Sequence, residues 1–265
     1  MAQIIAIANQ KGGVGKTSIA YNFATYLSER DNYVLVIDQD HQCSISQLFD
    51  CDKQQHTVKG IYTGEKVEIK NVRKNIDLIT GDYYLDRTED WVISQPNTDT
   101  KLLTWVTMNL KDNLNISQYD YIIIDTHPDF RTATRNAVAV SDKIISPDVP
   151  GANNDETKGN TLERYSQCVK EIIDPISMKS YVTAELYLVG NRIKHNTESS
   201  RRFVQELEEF DNYLTSFKEK ELFIRATVKR TSVDHLMKLK ENQRKEHIEF
   251  YNQYQKSFKK FLEAE

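Results

Sequence analysis

A doubly wound α/β fold, with a mostly parallel β-sheet covered by helices on both faces, is the architecture this 265-residue sequence predicts. Three observations carry it. Short runs rich in Ile and Val alternate with longer amphipathic stretches, the first run passes through a glycine-rich loop into a helical pattern, and two later runs end on aspartate. Near-continuous hydrophobicity marks strands buried on both sides, as a parallel sheet requires.

The expected strands are Gln3–Ala8, Tyr33–Asp38, Ile76–Thr80, Tyr121–Asp125, Lys143–Ser146 and Leu186–Gly190. Ile19, Phe23 and Leu27 recur every four residues and predict a helix that begins inside the glycine loop. Thr100–Leu114, Asp155–Ile173 and Ser199–Phe217 also read as helices, and Ser94–Thr98 and Pro150–Asn154 as loops. Near the end, Ile248, Tyr251, Tyr254, Phe258, Phe261 and Leu262 follow helical spacing, a stripe better suited to packing on the body than to binding. No repeat or flexible linker interrupts the chain. Residues 1–265 therefore read as one domain, with a basic, helical C-terminal part at about 216–265.

Composition narrows the function classes. The chain is 39% hydrophobic and 28% charged, ordinary for a soluble globular protein. No apolar run approaches the roughly 20 residues that cross a bilayer, and no export leader is visible, so a cytoplasmic location is expected. Cys43, Cys51 and Cys168 lack paired spacing, which argues against a disulfide frame, a zinc site or an iron–sulfur cluster built on them. The net charge of −4 hides an asymmetry: between Ser216 and Lys260 twelve Lys and Arg face six Asp and Glu. Such a segment suits a polyanionic partner or a set of solvated helix faces equally.

The loop after the first strand runs Lys11-Gly12-Gly13-Val14-Gly15-Lys16-Thr17-Ser18 and enters a helix. Strand, glycine loop and helix in this order form a phosphate-binding loop. The glycines let backbone N–H groups turn toward phosphate oxygens, and the helix N-terminus adds the positive end of its dipole. Lys16 can reach β- and γ-phosphates, and the Thr17 hydroxyl suits a magnesium ion. Asp125, at the end of Tyr121-Ile122-Ile123-Ile124-Asp125, stands where a strand-end carboxylate holds magnesium, although capping of the next helix is also open to it. ATP and Mg2+ are the expected ligands.

The loop departs from GxxxxGK[ST] because Gln10 replaces the first glycine and Lys11 adds a second cation. In this it resembles the deviant Walker A ATPases with a KGGxGK[ST] loop, the group of ParA/Soj partition proteins and MinD. The segment Asp38-Gln39-Asp40-His41-Gln42 is similar to the group's DxDPQ, and Asp125-Thr126-His127-Pro128 to its DTPP, with His41 and His127 in place of prolines. His41 reads as a backbone substitution rather than a base; a nucleotide-sensing role for His127 stays open. The resemblance is closest over about Ala2–Pro147. It implies a slow, Mg2+-dependent ATP hydrolase that forms an ATP-sandwich homodimer. In it Lys11 would reach the partner's phosphates, Asp40 would orient the attacking water and Asp38 would join the magnesium shell. Asn191, ending a later strand, would contact adenine or cap a loop.

The resemblance further implies a partition ATPase that binds DNA non-specifically in the ATP state and is released when a centromere-binding, ParB-like adaptor stimulates hydrolysis, on the nucleoid of a bacterium. Candidate DNA contacts are Arg225, Lys229, Arg230, Lys238, Lys240, Arg244 and Lys245. With the loop beginning so near residue 1, an N-terminal helix-turn-helix domain is not expected. The alternative is a MinD-like, membrane-associated spatial regulator, which would use the tail Tyr254–Leu262 as an amphipathic helix. Glu263 and Glu265 oppose anionic lipid, and membrane binding is not expected.

Overall fold

The computed structural model describes residues 2–52, 54–110, 114–151 and 154–264. Eight strands form one sheet: β1 (Gln3–Ile7), β2 (Val34–Gln39), β3 (Lys70–Arg73), β4 (Ile76–Ile79), β5 (Tyr121–Thr126), β6 (Lys143–Asp148), β7 (Glu185–Ile193) and β8 (Tyr213–Lys218), in the order β3-β4-β2-β5-β1-β6-β7-β8. Every pairing is parallel except β3 with β4 at one edge. The doubly wound sheet expected from the alternating apolar runs is present.

Helices follow as α1 (Lys16–Ser28), α2 (Ser44–Leu48), α3 (Lys59–Thr63), α4 (Leu85–Val92), α5 (Lys101–Met108) and α6 (Thr132–Val140). The second half adds α7 (Asn154–Glu171), α8 (Glu198–Glu208), α9 (Glu221–Val228), α10 (Val233–Lys238) and α11 (Lys245–Glu263). Strand alternation sorts the core into two layers. Ile5, Ile7, Val34, Val36 and Ile123 pack with α1, α2 and α9–α11 on one face. Ala6, Leu35, Ile37, Ile122 and Ile124 pack with α3–α6 on the other, and Ile144, Leu186 and Leu188 continue that side under α7 and α8.

Two strands escape the sequence pattern. The helix expected over Ser199–Phe217 ends at Glu208, and β8 begins at Tyr213. Phe203, Leu207, Phe210, Leu214 and Phe217 keep a helical period through the break and mask the alternation of Tyr213, Thr215 and Phe217. The turn lies at Asp211-Asn212, residues that favour breaks. The four-residue strand β3 is short and largely polar, with only Val72 packed against the core. The helix expected over Thr100–Leu114 runs over Lys101–Met108, with residues 111–113 outside the described residues. Residues 152 and 153 of the expected loop Pro150–Asn154 also lie outside them.

The C-terminal stripe packs inward. Phe250, Tyr254, Phe258 and Phe261 of α11 are buried, and Phe258 lies 5.1 Å and 5.2 Å, ring to ring, from Phe23 and Tyr26 of α1. The aromatic face that a membrane reading would need is thereby spent on the core.

Candidate functional site

The site forms where β1, β2, β5 and β6 end. In an open parallel sheet the carboxyl ends of the strands face the ligand crevice, and here the sequence places a glycine loop and four aspartates at that edge. Asp38 and Asp125 are direct partners in the β2–β5 register and so point to the same side of the sheet, the side of α1.

The loop between β1 and α1 turns on Gly13 and Gly15, with φ of +74° and +94°, in the left-handed region that side chains avoid. Lys16 opens α1 and is 6% exposed. Its ammonium donates to the carbonyls of Asn9 at 3.1 Å and Lys11 at 3.3 Å. Burial lowers its pKa, while the charges of Asp125, Asp40 and Asp129 pull the other way. Lys11 is 30% exposed and reaches Asp148 at 3.6 Å. Asn9 braces the loop: its amide nitrogen donates to Ser146 Oγ and Pro147 O, and its oxygen accepts the Lys11 N–H at 2.7 Å. Gly12, Gly13, Gly15, Thr17 and Ser18 retain partial or full exposure around this turn, and Val14 is buried beneath it.

Asp125 is fully buried, and neither carboxylate oxygen has a hydrogen-bond partner at normal distance. Burial drives its pKa well above the usual carboxylate range; Asp38 and Asp40 add to the rise, and the Thr17 hydroxyl and Lys16 oppose it. A buried carboxylate with free lone pairs beside a hydroxyl suits a hard cation such as magnesium. Thr17 and Asp125 are the residues that fit that ion.

Asp38, expected in the magnesium shell, is held by hydrogen bonds at the end of β2. Oδ2 accepts from the hydroxyl and N–H of Ser46 at 2.6 Å and 3.1 Å, and Oδ1 accepts from the Asp40 N–H at 3.1 Å. Both oxygens accept hydrogen bonds, and through them Asp38 supports Asp40 and α2 in the nucleotide-free chain. Burial pushes its pKa up to about 7. An acid with a raised folded pKa holds its proton more tightly folded than unfolded, so stability present near pH 3.8 is lost as pH rises toward about 7. The melting temperature of the nucleotide-free protein should fall across that window, and less steeply in Asp38→Asn. Identical slopes in the two proteins would show that this carboxylate is not the one titrating.

Asp40 is 7% exposed, and one oxygen accepts the Gln42 N–H at 2.8 Å. The His41 ring lies against the His127 ring, centroids 4.1 Å apart. His127 Nδ1 pairs with Asp129 Oδ2 at 3.0 Å, which raises the imidazole's pKa against the effect of burial. Pro128 brings this segment to the loop, 3.8 Å from where a Cβ on Gly12 would stand.

Asn191, expected at adenine or as a loop cap, lies against the phosphate loop. Its amide nitrogen donates to the Val14 carbonyl at 2.8 Å and its oxygen accepts the Arg192 N–H at 2.9 Å, so both amide groups are used locally. Sequence reasoning also missed Asp148, Asn9, Ser46 and Asp129. Asp148 had a usable signal: it ends β6, by the same strand-end rule that singled out Asp38 and Asp125.

The basic candidates lie over α9–α11, well apart from the loop in sequence. Arg225 pairs with Glu241 at 3.1 Å, Lys238 with Glu29 at 3.4 Å, Lys245 with Glu249 at 3.9 Å, and Arg230 with Asp50. Lys229, Lys240 and Arg244 are exposed and make no ion pair among the described residues. No helix among the described residues is long and apolar enough to cross a membrane.

Comparison with known proteins places the chain among others of similar sequence and fold. The AAA-domain family model AAA_31 matches residues 2–176. The chromosome-partitioning ATPase Soj of Thermus thermophilus is 31% identical over 143 residues, 54% of this chain and 53% of that protein. The chain spans about half the length of the curated relatives it matches. A Borrelia burgdorferi protein described as a putative plasmid partition protein, solved with AMPPNP, superposes over 100% of both chains with a TM-score of 0.75 and 24% identity. Apo McdA from Cyanothece superposes over 99% of this chain and 100% of its own, with a TM-score of 0.82 and 17% identity. These two likenesses show the fold. With two thirds of its length matched, and with the deviant loop, strand-end aspartates and sheet order described above, the chain belongs to the AAA_31 family of AAA domains and is of the ParA/MinD type.

Proposed function

We propose that the chain acts as one ATPase domain and as an ATP-driven dimer switch for partition of a plasmid or chromosome. The observation that carries the reading is the convergence of two lysines, Lys11 and Lys16, with the unpaired buried carboxylate of Asp125 at one glycine loop. The loop N–H groups and Lys16 would bind the β- and γ-phosphates of ATP. Magnesium, held by Thr17 and Asp125, would supply charge neutralisation between the phosphates. Asp40, positioned by Asp38 and by the Gln42 N–H, would orient the attacking water in line with the γ-phosphorus. Lys11, partly exposed and paired with Asp148, would leave that carboxylate to meet the nucleotide of a second copy and offset developing charge there. Hydrolysis would be slow until an adaptor protein stimulates it.

DNA is the favoured surface for the dimer. Lys229, Lys240 and Arg244 are exposed cations free to meet phosphates, while the aromatic face of α11 is buried against α1 and is not available to lipid. The test is binding to a random-sequence duplex with ATP, with ADP and with no nucleotide, across a salt series. Binding is expected with ATP alone, with a log–log salt slope of about 0.9 for each phosphate neutralised. Equal binding in all three states, or none in any, would overturn the DNA switch, and liposome binding in the ATP state would then favour the MinD-like reading.

A further inference from the structure

Two departures from the patterns DxDPQ and DTPP, His41 and His127, meet in space beside Asp40. We propose that Asp40, His41 and His127 form a binding site for a borderline divalent ion, Zn2+ foremost, with Asp129 orienting His127. One ligand atom from each of the three residues lies within 4.8 Å of the others. A tetrahedral zinc ion with bonds of about 2.1 Å sets its ligand atoms roughly 3.4 Å apart, so side-chain rotations that move those atoms by up to about 1.4 Å close the difference. The His41 ring is free to make that rotation, since no hydrogen bond among the described residues holds it. Asp40 keeps one oxygen outside its turn with Gln42.

An independent contact points the same way. The bond between His127 Nδ1 and Asp129 Oδ2 at 3.0 Å occupies Nδ1 and leaves Nε2 as the nitrogen open to a metal ion. A carboxylate on the far nitrogen is the usual support of a zinc-bound histidine. Two imidazoles and one carboxylate select zinc-like ions over magnesium, which takes oxygen ligands. The site is therefore chemically distinct from the position at Thr17 and Asp125. An ion held here would draw Asp40 away from a water molecule, although binding itself does not depend on the ATPase reading.

The test uses the full chain with any purification tag removed, stripped by chelator, at about pH 8, since metal binding displaces protons from its ligands. Zn2+ is titrated by calorimetry without nucleotide and with Mg2+ in excess, and Co2+ absorption reports the geometry. One Zn2+ per chain is expected, with a tetrahedral-type Co2+ spectrum. His41→Gln and His127→Gln should each weaken binding by at least about 10-fold, and Asp129→Asn by about 10- to 100-fold. Circular dichroism melts of the apo variants check the fold. No Zn2+ binding by the wild type would overturn the site, as would equal binding by the His41→Gln/His127→Gln double variant, which would place the ion on other histidines or cysteines.

Discussion

Lys16→Ala should lose ATP binding, and turnover should fall by about 10²-fold or more. The ammonium is buried where the loop enters α1, and in the nucleotide-free chain two loop carbonyls, those of Asn9 and Lys11, hold it. Those carbonyl contacts pre-orient the charge, so binding a phosphate does not require it to be ordered anew. Burial acts to remove its proton, and three carboxylates act to keep it. The alanine variant removes that balance along with the phosphate contact and leaves Asp125 and Asp40 facing one another without it. A fluorescent ATP analogue reports affinity, phosphate release reports turnover, and circular dichroism separates either from unfolding. Hydrolysis at the wild-type rate in Lys16→Ala would remove the phosphate-loop assignment altogether.

That lysine was legible in the sequence because the loop's chemistry is local: glycines, cation and hydroxyl lie within seven consecutive residues, and the next helix begins on them. The parallel strands were legible for the same reason, each being a short apolar run buried on both sides. What was hidden depends on contacts between distant segments. Asp148 reaches Lys11 from β6, Ser46 reaches Asp38 from α2, and Asn191 reaches Val14 from β7. No spacing rule joins those pairs. The pairing of Arg225, Arg230 and Lys238 with Glu241, Asp50 and Glu29 is hidden likewise, since a count of basic residues cannot say which cations are already neutralised. The strand β8 was lost to a coincidence of period, Leu214 and Phe217 continuing the apolar spacing of α8.

Asp40→Ala should still bind ATP but lose about 10² to 10⁴-fold in hydrolysis. Three features of the structure lead there. Asp40 is nearly buried, its N–H is fixed by Asp38 and its Oδ1 by the Gln42 N–H, so the carboxylate is rigidly aimed without being part of the phosphate loop. Lys16, Thr17 and the loop N–H groups that would grip the nucleotide do not depend on it for a hydrogen bond. Removing its charge also relieves the electrostatic pressure that Asp40 places on Asp125 and Asp38. ATP affinity should therefore hold or rise while the water loses its orienting group. If Lys11 completes a neighbouring copy's site, the variant should accumulate as an ATP-bound dimer that still holds DNA, visible by light scattering and by duplex binding. A variant that stays monomeric with ATP would count against the switch. One that hydrolyses ATP at the wild-type rate would move the water-orienting role to another group, and His127, with its raised pKa and its place beside Asp40, would be the first to substitute.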